Sequence, residues 1–289
     1  MQETLFLFSP PATLAAAVVA GILGLLIGSF LNVVIHRMPI MMQRESDNYV
    51  AAESGKELPH TERYNLVTPR SACPHCGHKI TAMENIPVIS WLALGGKCRS
   101  CKAPISARYP IIELLTAGLS ASMVYHLGFG YAGMATLLFT WLLVAMTFID
   151  ADTQLLPDDL TLPLLWIGLL INVNGTFVPL QDAVLGAAAG YMVLWSIYWL
   201  FKLATGKEGM GYGDFKLLAA LGAWMGWQML PAIILLSSVV GAVVGISLIL
   251  FFRHARSKPI PFGPYLAGAG LLAMLFGPQI TGFMHGVTG

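Results

Sequence analysis

Charge is the scarcest property of this chain. Of its 289 residues 11% are Asp, Glu, Lys or Arg, while 56% are hydrophobic. An ordinary soluble domain carries roughly 25% charged residues, so a chain this poor in charge cannot cover itself in water. The apolar residues come in runs rather than at helical period, the mark of helices that face lipid. A basic region before the first apolar run is also missing, since Met1 to Pro11 carry Glu3 as their one charge. That argues against a cleavable signal peptide and for a retained first helix. There is no low-complexity tract and no repeat of fixed period. No glycine-rich turn follows a strand to mark a dinucleotide-type pocket. The net charge of +1 gives no reason to expect a nucleic-acid partner, because the local basic excess has another explanation, set out next.

What is present is an all-α polytopic membrane pattern, with the lipid bilayer as solvent. Eight apolar segments stand out, at about 12–35, 109–127, 131–149, 160–174, 182–201, 215–229, 231–252 and 262–281. An upright span needs roughly 20 residues, so 160–174 and 215–229 are short, and six or seven spans remain open as counts. If the first segment runs from outside to inside, all 16 Lys and Arg fall in or beside internal loops. Ten lie between Arg37 and Arg108, followed by Lys202, Lys207, Lys216, Arg253, Arg256 and Lys258. This is the positive-inside pattern. It divides the chain into an N-terminal helix (1–35), a cytoplasmic loop domain (36–108) and a membrane core (109–289).

The loop holds all four cysteines as C-x2-C pairs, Cys73 with Cys76 and Cys98 with Cys101. Two such knuckles place four thiolates around one tetrahedral ion, so a structural Zn2+ is expected. A reducing compartment disfavours disulfides between them. Gly77 and Gly95-Gly96 flank the knuckles where tight turns are needed. His75 and His78 read as loop histidines, because four cysteines leave no vacant ligand position. Residues 41–68 are polar, either a flexible insertion or part of a small domain nucleated by the metal.

Carboxylates at the ends of membrane helices are costly, and so point to function. Asp150 abuts the run 131–149, but Asp152, Asp158 and Asp159 follow within ten residues. Asp158 or Asp159, after Pro157, suits a helix N-cap. Asp214 closes Gly211-Tyr212-Gly213-Asp214. Gly211 and Gly213 let backbone approach closely, so that a peptide could lie extended against Asp214 with Lys216 nearby. An N-cap at Asp214 is the alternative. Two facing carboxylates naturally activate water, one ionised and one protonated. Glu113 is placed where a helix dipole favours an acid. The Gly21, Gly24 and Gly28 row is expected to pack on another helix. His36-Arg37 suits an anchor at the membrane surface, and Pro261 and Pro264 shape the start of the last span.

Taken in order, these motifs resemble the bacterial type IV prepilin peptidases, the leader peptidase/N-methyltransferases of pilus and type II secretion systems. The likeness rests on Gly28-Ser29-Phe30-Leu31-Asn32 with Arg37-Met38-Pro39, Ser71-Ala72-Cys73-Pro74-His75-Cys76 and Asn85-Ile86-Pro87. It extends through Arg108-Tyr109-Pro110 with Glu113, and Asp150 with Leu156-Pro157-Asp158, to Gly211–Lys216. It implies a GxGD aspartyl protease with Asp150 and Asp214 as its pair, cutting the leaders of prepilins and pseudopilins at the cytoplasmic boundary of the inner membrane. It further implies N-methylation of the new terminus from S-adenosylmethionine, with Gly95, Gly96, Lys97, Asn32 and Arg37 as candidate contacts to that donor. A peptidase without methyl transfer is the first alternative. A proton- or ion-coupled transporter expects its acids near the bilayer midplane, and a zinc-bearing scaffold leaves the paired aspartates without a purpose.

Overall fold

Long apolar runs can satisfy their backbone in lipid only by coiling into helices. The computed structural model accordingly contains helices and turns, and among the described residues no strand beyond two isolated bridges. Residues 10–251 and 260–288 are described. The stretch before Pro10, and Arg253, Arg256 and Lys258 of the orientation argument, lie outside them. The helices are α1 (Pro10–Glu53), α2 (Ile89–Ala93), α3 (Arg108–Leu127), α4 (Tyr131–Thr153), α5 (Asp158–Ile171), α6 (Leu180–Thr205), α7 (Tyr212–Met225), α8 (Leu230–Phe251) and α9 (Gly263–Thr288). Within the described residues each of the eight expected segments is mainly helical, with a break at Gly226 inside 215–229.

Among the described residues five helices are long and apolar enough to cross a bilayer: α1, α3, α4, α6 and the stretch Trp227–Leu248 that includes most of α8. The chain is an all-α membrane protein. At 14 residues each, α5 and α7 reach about 21 Å, short of a hydrocarbon core of roughly 30 Å. The 26-residue α9 is interrupted by non-helical backbone at Phe276. Two compact units divide between Gly133 and Met134.

In the first unit α1 overruns its expected end at residue 35, continuing through Pro39 to Glu53. The reason is tertiary. The following loop folds back and docks on the polar half of the helix. Asn48 and His60 exchange two hydrogen bonds, at 2.8 and 3.0 Å, and the Arg44 guanidinium stacks 4.2 Å from the Tyr64 ring. Residues 41–53 are therefore helix, not a flexible insertion. The glycine row does what its spacing suggests. A Cβ on Gly24 would lie 2.8 Å from the Ala117 Cα, and one on Gly28 would lie 2.8 Å from the Glu113 Cα. Only glycine lets α1 and α3 meet so closely.

In the second unit α7 is the centre. From Asp214 to Met225 every residue but Lys216 is buried, as expected of a helix apolar on all sides. Gly186 and Gly222 bring α6 onto α7 without side chains between them. Trp224 is fully buried, donates its Nε1–H to the Leu164 carbonyl at 2.8 Å, and packs on Phe139 and Phe177. The wholly buried Asn172 caps the far end of α7 by donating to the Ala223 and Trp224 carbonyls. At the near end Tyr198, on the longer α6, packs against Tyr212 and Phe215. The first turn of α7, which carries Asp214, is thus recessed beside a helix that continues past it.

Candidate active site and metal centre

Asp150 arrives on the last turn of α4 and Asp214 on the first turn of α7, 5% and 6% exposed. Both line one cavity of about 280 Å³. Asp150 Oδ2 accepts the main-chain N–H of Gly263 at 2.9 Å. A Cβ at 263 would lie 2.6 Å from that oxygen, so a larger residue there must displace the carboxylate or the helix. A carboxylate with one lone pair committed to a rigid helix start keeps its orientation. Glu208 and Gln154 also reach the cavity. Glu208 is held below the usual carboxylate range by the Lys202 ammonium at 2.8 Å, with help from the Tyr198 hydroxyl.

The competing acids are elsewhere. Asp152 and Asp159 are exposed and do not line the cavity. Asp158 does not cap α5. Pro157 holds the N-cap position, and Asp158 binds Lys216 Nζ through both oxygens at 2.6 and 2.7 Å. Lys216 therefore spends its charge joining the first turns of α5 and α7. Asp214 is likewise not an N-cap, since Gly211 holds that position with extended backbone. Gly211 and Gly213 both line the cavity. Gly213 serves close approach, as a Cβ there would lie 2.6 Å from the Leu156 Cβ.

In the first unit the four cysteine sulfurs all lie within 4.8 Å of one another, Cys73 and Cys101 at 3.8 Å and Cys76 and Cys98 at 4.0 Å. The sulfurs of a tetrahedral zinc–thiolate centre with bonds of about 2.3 Å are about 3.8 Å apart, so the donor set fits a metal ion. The two knuckles repeat one geometry. Cys73 N donates to the His78 carbonyl and Gly77 N to that of Cys73, just as Cys98 N donates to Ala103 and Lys102 N to Cys98. Each turn needs a left-handed residue, supplied by Gly77 (φ 71°) and, without the ease of glycine, by Lys102 (φ 63°). His78 stays off the cluster, paired at 3.2 Å with Glu84. The Thr81 main-chain N–H, with His78, holds Glu84 below the usual carboxylate range.

Two family models match in tandem: the bacterial peptidase A24 N-terminal domain over residues 22–127 and the type IV leader peptidase family over 137–246. The chain belongs to the type IV leader peptidase family. Over 260 residues, 89% of each chain, it is 64% identical to the prepilin leader peptidase/N-methyltransferase of Aeromonas salmonicida. The proteins of that name from Stutzerimonas stutzeri and Pseudomonas aeruginosa are 60% and 61% identical, over 97% and 90% of each chain. No solved structure matches.

For a leader peptidase of this family, the residues expected around a methyl donor fall into two kinds. Gly95 (φ 59°) and Lys97 are exposed, and a Cβ on Gly95 would meet nothing within 4 Å, which leaves an open turn. Gly96 (φ 66°) is packed under the Trp91 ring. Asn32 and Arg37 are committed elsewhere. Asn32 donates to the Tyr109 carbonyl at 3.2 Å, and Arg37 to those of Asn65 and Pro69 at 2.9 and 2.6 Å. With 6% of its surface exposed, Arg37 is not an anchor at the membrane surface but the clamp of the docked loop. Glu113 lies past the first turn of α3, where the dipole is weak. It is buried, and accepts the Val88 N–H at 2.7 Å.

Sequence reasoning passed over Gly263, Gln154 and Glu208. Pro261 and Pro264 drew attention to that stretch, yet the glycine between them carries the contact to Asp150. A glycine flanked by prolines at a helix start was the available signal. Away from this site, an apolar groove of about 290 Å³ along α1 and α3, lined among others by Leu14, Val18 and Ala121, holds no chemistry of this kind.

Proposed function

We propose that this protein cuts the leaders of prepilins and pseudopilins with Asp150 and Asp214, and then N-methylates the exposed terminus. The observation that carries the reading is the shared cavity with both aspartates buried in it, one oriented by Gly263. One ionised carboxylate takes a proton from water as its oxygen adds to the scissile carbonyl carbon. The protonated partner donates to the carbonyl oxygen. Collapse of the tetrahedral intermediate then breaks the C–N bond, and the leaving amine takes up a proton. No acyl-enzyme is required. Gly211 and Gly213, at the wall beside Asp214, let substrate backbone pass close by, and Lys216 acts from behind by fixing the first turn of α7 to Asp158.

Orientation follows from charge. We place the N-terminus outside and the aspartates and cysteine knuckles on the cytoplasmic side of the inner membrane, because every Lys and Arg then lies at an internal loop. The chain divides into the membrane part of the N-terminal helix (1–35), a loop domain that includes the rest of that helix (36–108), and the protease core (109–289). Zinc is the metal we assign to Cys73, Cys76, Cys98 and Cys101; four thiolates close its coordination, so it folds the loop and performs no chemistry. S-adenosylmethionine, when bound, supplies the methyl group. Gly95 and Lys97 suit contact with it because their turn is open, whereas Gly96, Asn32 and Arg37 act by holding the surrounding loop.

The test uses the detergent-purified wild type, Asp150→Asn and Asp214→Asn with a model prepilin and S-adenosylmethionine, products read by mass spectrometry. Both variants lose cleavage and still methylate a pre-cut pilin. Continued cleavage by both overturns the two-aspartate mechanism.

A further inference from the structure

Among its described lining residues the cavity holds one neutral polar side chain, and water activation does not use it. We infer that Gln154 is a substrate-binding residue, its side-chain amide pairing with a peptide group of the substrate next to the scissile bond. This rests on the cavity being the site of cleavage. Gln154 follows α4 and stands four residues after Asp150, whose carbonyl accepts its main-chain N–H at 2.8 Å. Gln154 lines the same cavity as Asp150 and Asp214.

Its backbone is left-handed, φ 58°. Helix ends commonly turn this way, but on glycine or asparagine, because a longer side chain is strained there. Strain of this kind gathers at sites where a side chain is needed. The need is visible in the lining. Apart from the carboxylates of Asp150, Asp214 and Glu208, the other described lining side chains are apolar or absent, as at Leu156, Met210, Gly213 and Phe262. Carboxylates accept hydrogen bonds from a peptide N–H but offer a carbonyl nothing when ionised. A primary amide both donates and accepts, and so matches a peptide group. Gln154 is the one neutral polar side chain among the described lining residues.

Two substitutions separate side chain from backbone. Gln154→Gly relieves the left-handed strain and deletes the amide; Gln154→Met keeps size and strain and deletes only the amide. Full-length enzyme is assayed for prepilin cleavage, for methylation of a pre-cut pilin, and for thermal unfolding. Both variants should lose about tenfold in kcat/KM for cleavage, the effect of one lost hydrogen bond to substrate. Gln154→Gly should unfold no earlier than wild type, and methylation should be unchanged in both. Cleavage at the wild-type kcat/KM by either variant, with Asp150→Asn and Asp214→Asn inactive, overturns the assignment of Gln154 alone. Cleavage by the aspartate variants overturns the site and this inference with it.

Discussion

The N–H of Gly263 donates to Asp150 Oδ2 at 2.9 Å, and a Cβ on that residue would crowd the same oxygen. Residues 113 positions apart thereby set the direction of one carboxylate. Gly263→Ala would place a Cβ 2.6 Å from the oxygen and must displace either the aspartate or the helix. A displacement near 1 Å costs on the order of a hundredfold in rate. Cleavage by Gly263→Ala should fall by that factor at unchanged KM, measured with a model prepilin.

Gly213→Ala strains a different contact, since the new Cβ would lie 2.6 Å from the Leu156 Cβ. Overpacking of this kind costs about 1–3 kcal/mol. Thermal unfolding should show the loss, and Gly213→Ala should cost little when it is added to Leu156→Gly, which removes the Cβ it would meet. An undiminished cost in the Leu156→Gly background would place the cause elsewhere than this contact.

The knuckle cysteines should bind about one zinc per chain, the ratio for a single tetrahedral thiolate site. Cys73→Ser with Cys76→Ser should abolish metal content measured by plasma mass spectrometry. Proteolysis should then cut within residues 70–105 while α4 to α9 stay intact.

Glu113 holds a strained turn. Val88 adopts φ 60°, ψ −48°, with the Ile89 N–H donating to the Pro87 carbonyl at 2.6 Å, a tight γ-turn rare for a β-branched residue. Removing the acceptor by Glu113→Ala leaves the Val88 N–H without it, at a cost of about 1–3 kcal/mol. Hydrogen exchange at residues 86–92 should accelerate in that variant. Val88→Gly should keep the turn and its protection, because glycine tolerates the left-handed backbone.

The pairing of Glu208 with Lys202 gives the segment 206–211 a pH dependence. Lys202, with Tyr198, lowers the Glu208 pKa in the folded state. Stabilisation is therefore complete above the ordinary glutamate range and is lost as pH falls through the lowered folded value. Hydrogen exchange across 206–211 should accelerate on acidification in the wild type. In Glu208→Gln it should be fast already at neutral pH and change less with acid. An unchanged wild-type profile on acidification would rule out the pair as the anchor of this segment.

Much of the site was legible in the sequence because its signals are local. The cysteine spacing specifies a tetrahedral thiol set wherever the loop lies, and the glycine row on α1 reports its own close packing. Gly211-Tyr212-Gly213-Asp214 marks Asp214 within four residues. The choice of Asp150 over Asp152, Asp158 and Asp159 needed a resemblance, since all four acids fall in ten residues. Structure separates them by burial and by partner, with Asp150 against Gly263 and Asp158 on Lys216. The end of α1 was misjudged for a similar reason. Polarity at 41–53 looks like loop until the contacts of Arg44 and Asn48 with the returning chain are seen.

Composition and the order of apolar runs by themselves determined that the chain is helical and lives in a bilayer, because transfer of each residue between water and lipid depends on that residue alone. Only the tertiary structure decided that Asp150, Gln154, Asp214 and the segment leading into α9 share one cavity, and that the 14-residue α7 lies buried among other helices. Those distances are set by how ridges, glycines and buried amides on different helices fit together, and no stretch of neighbouring residues contains them.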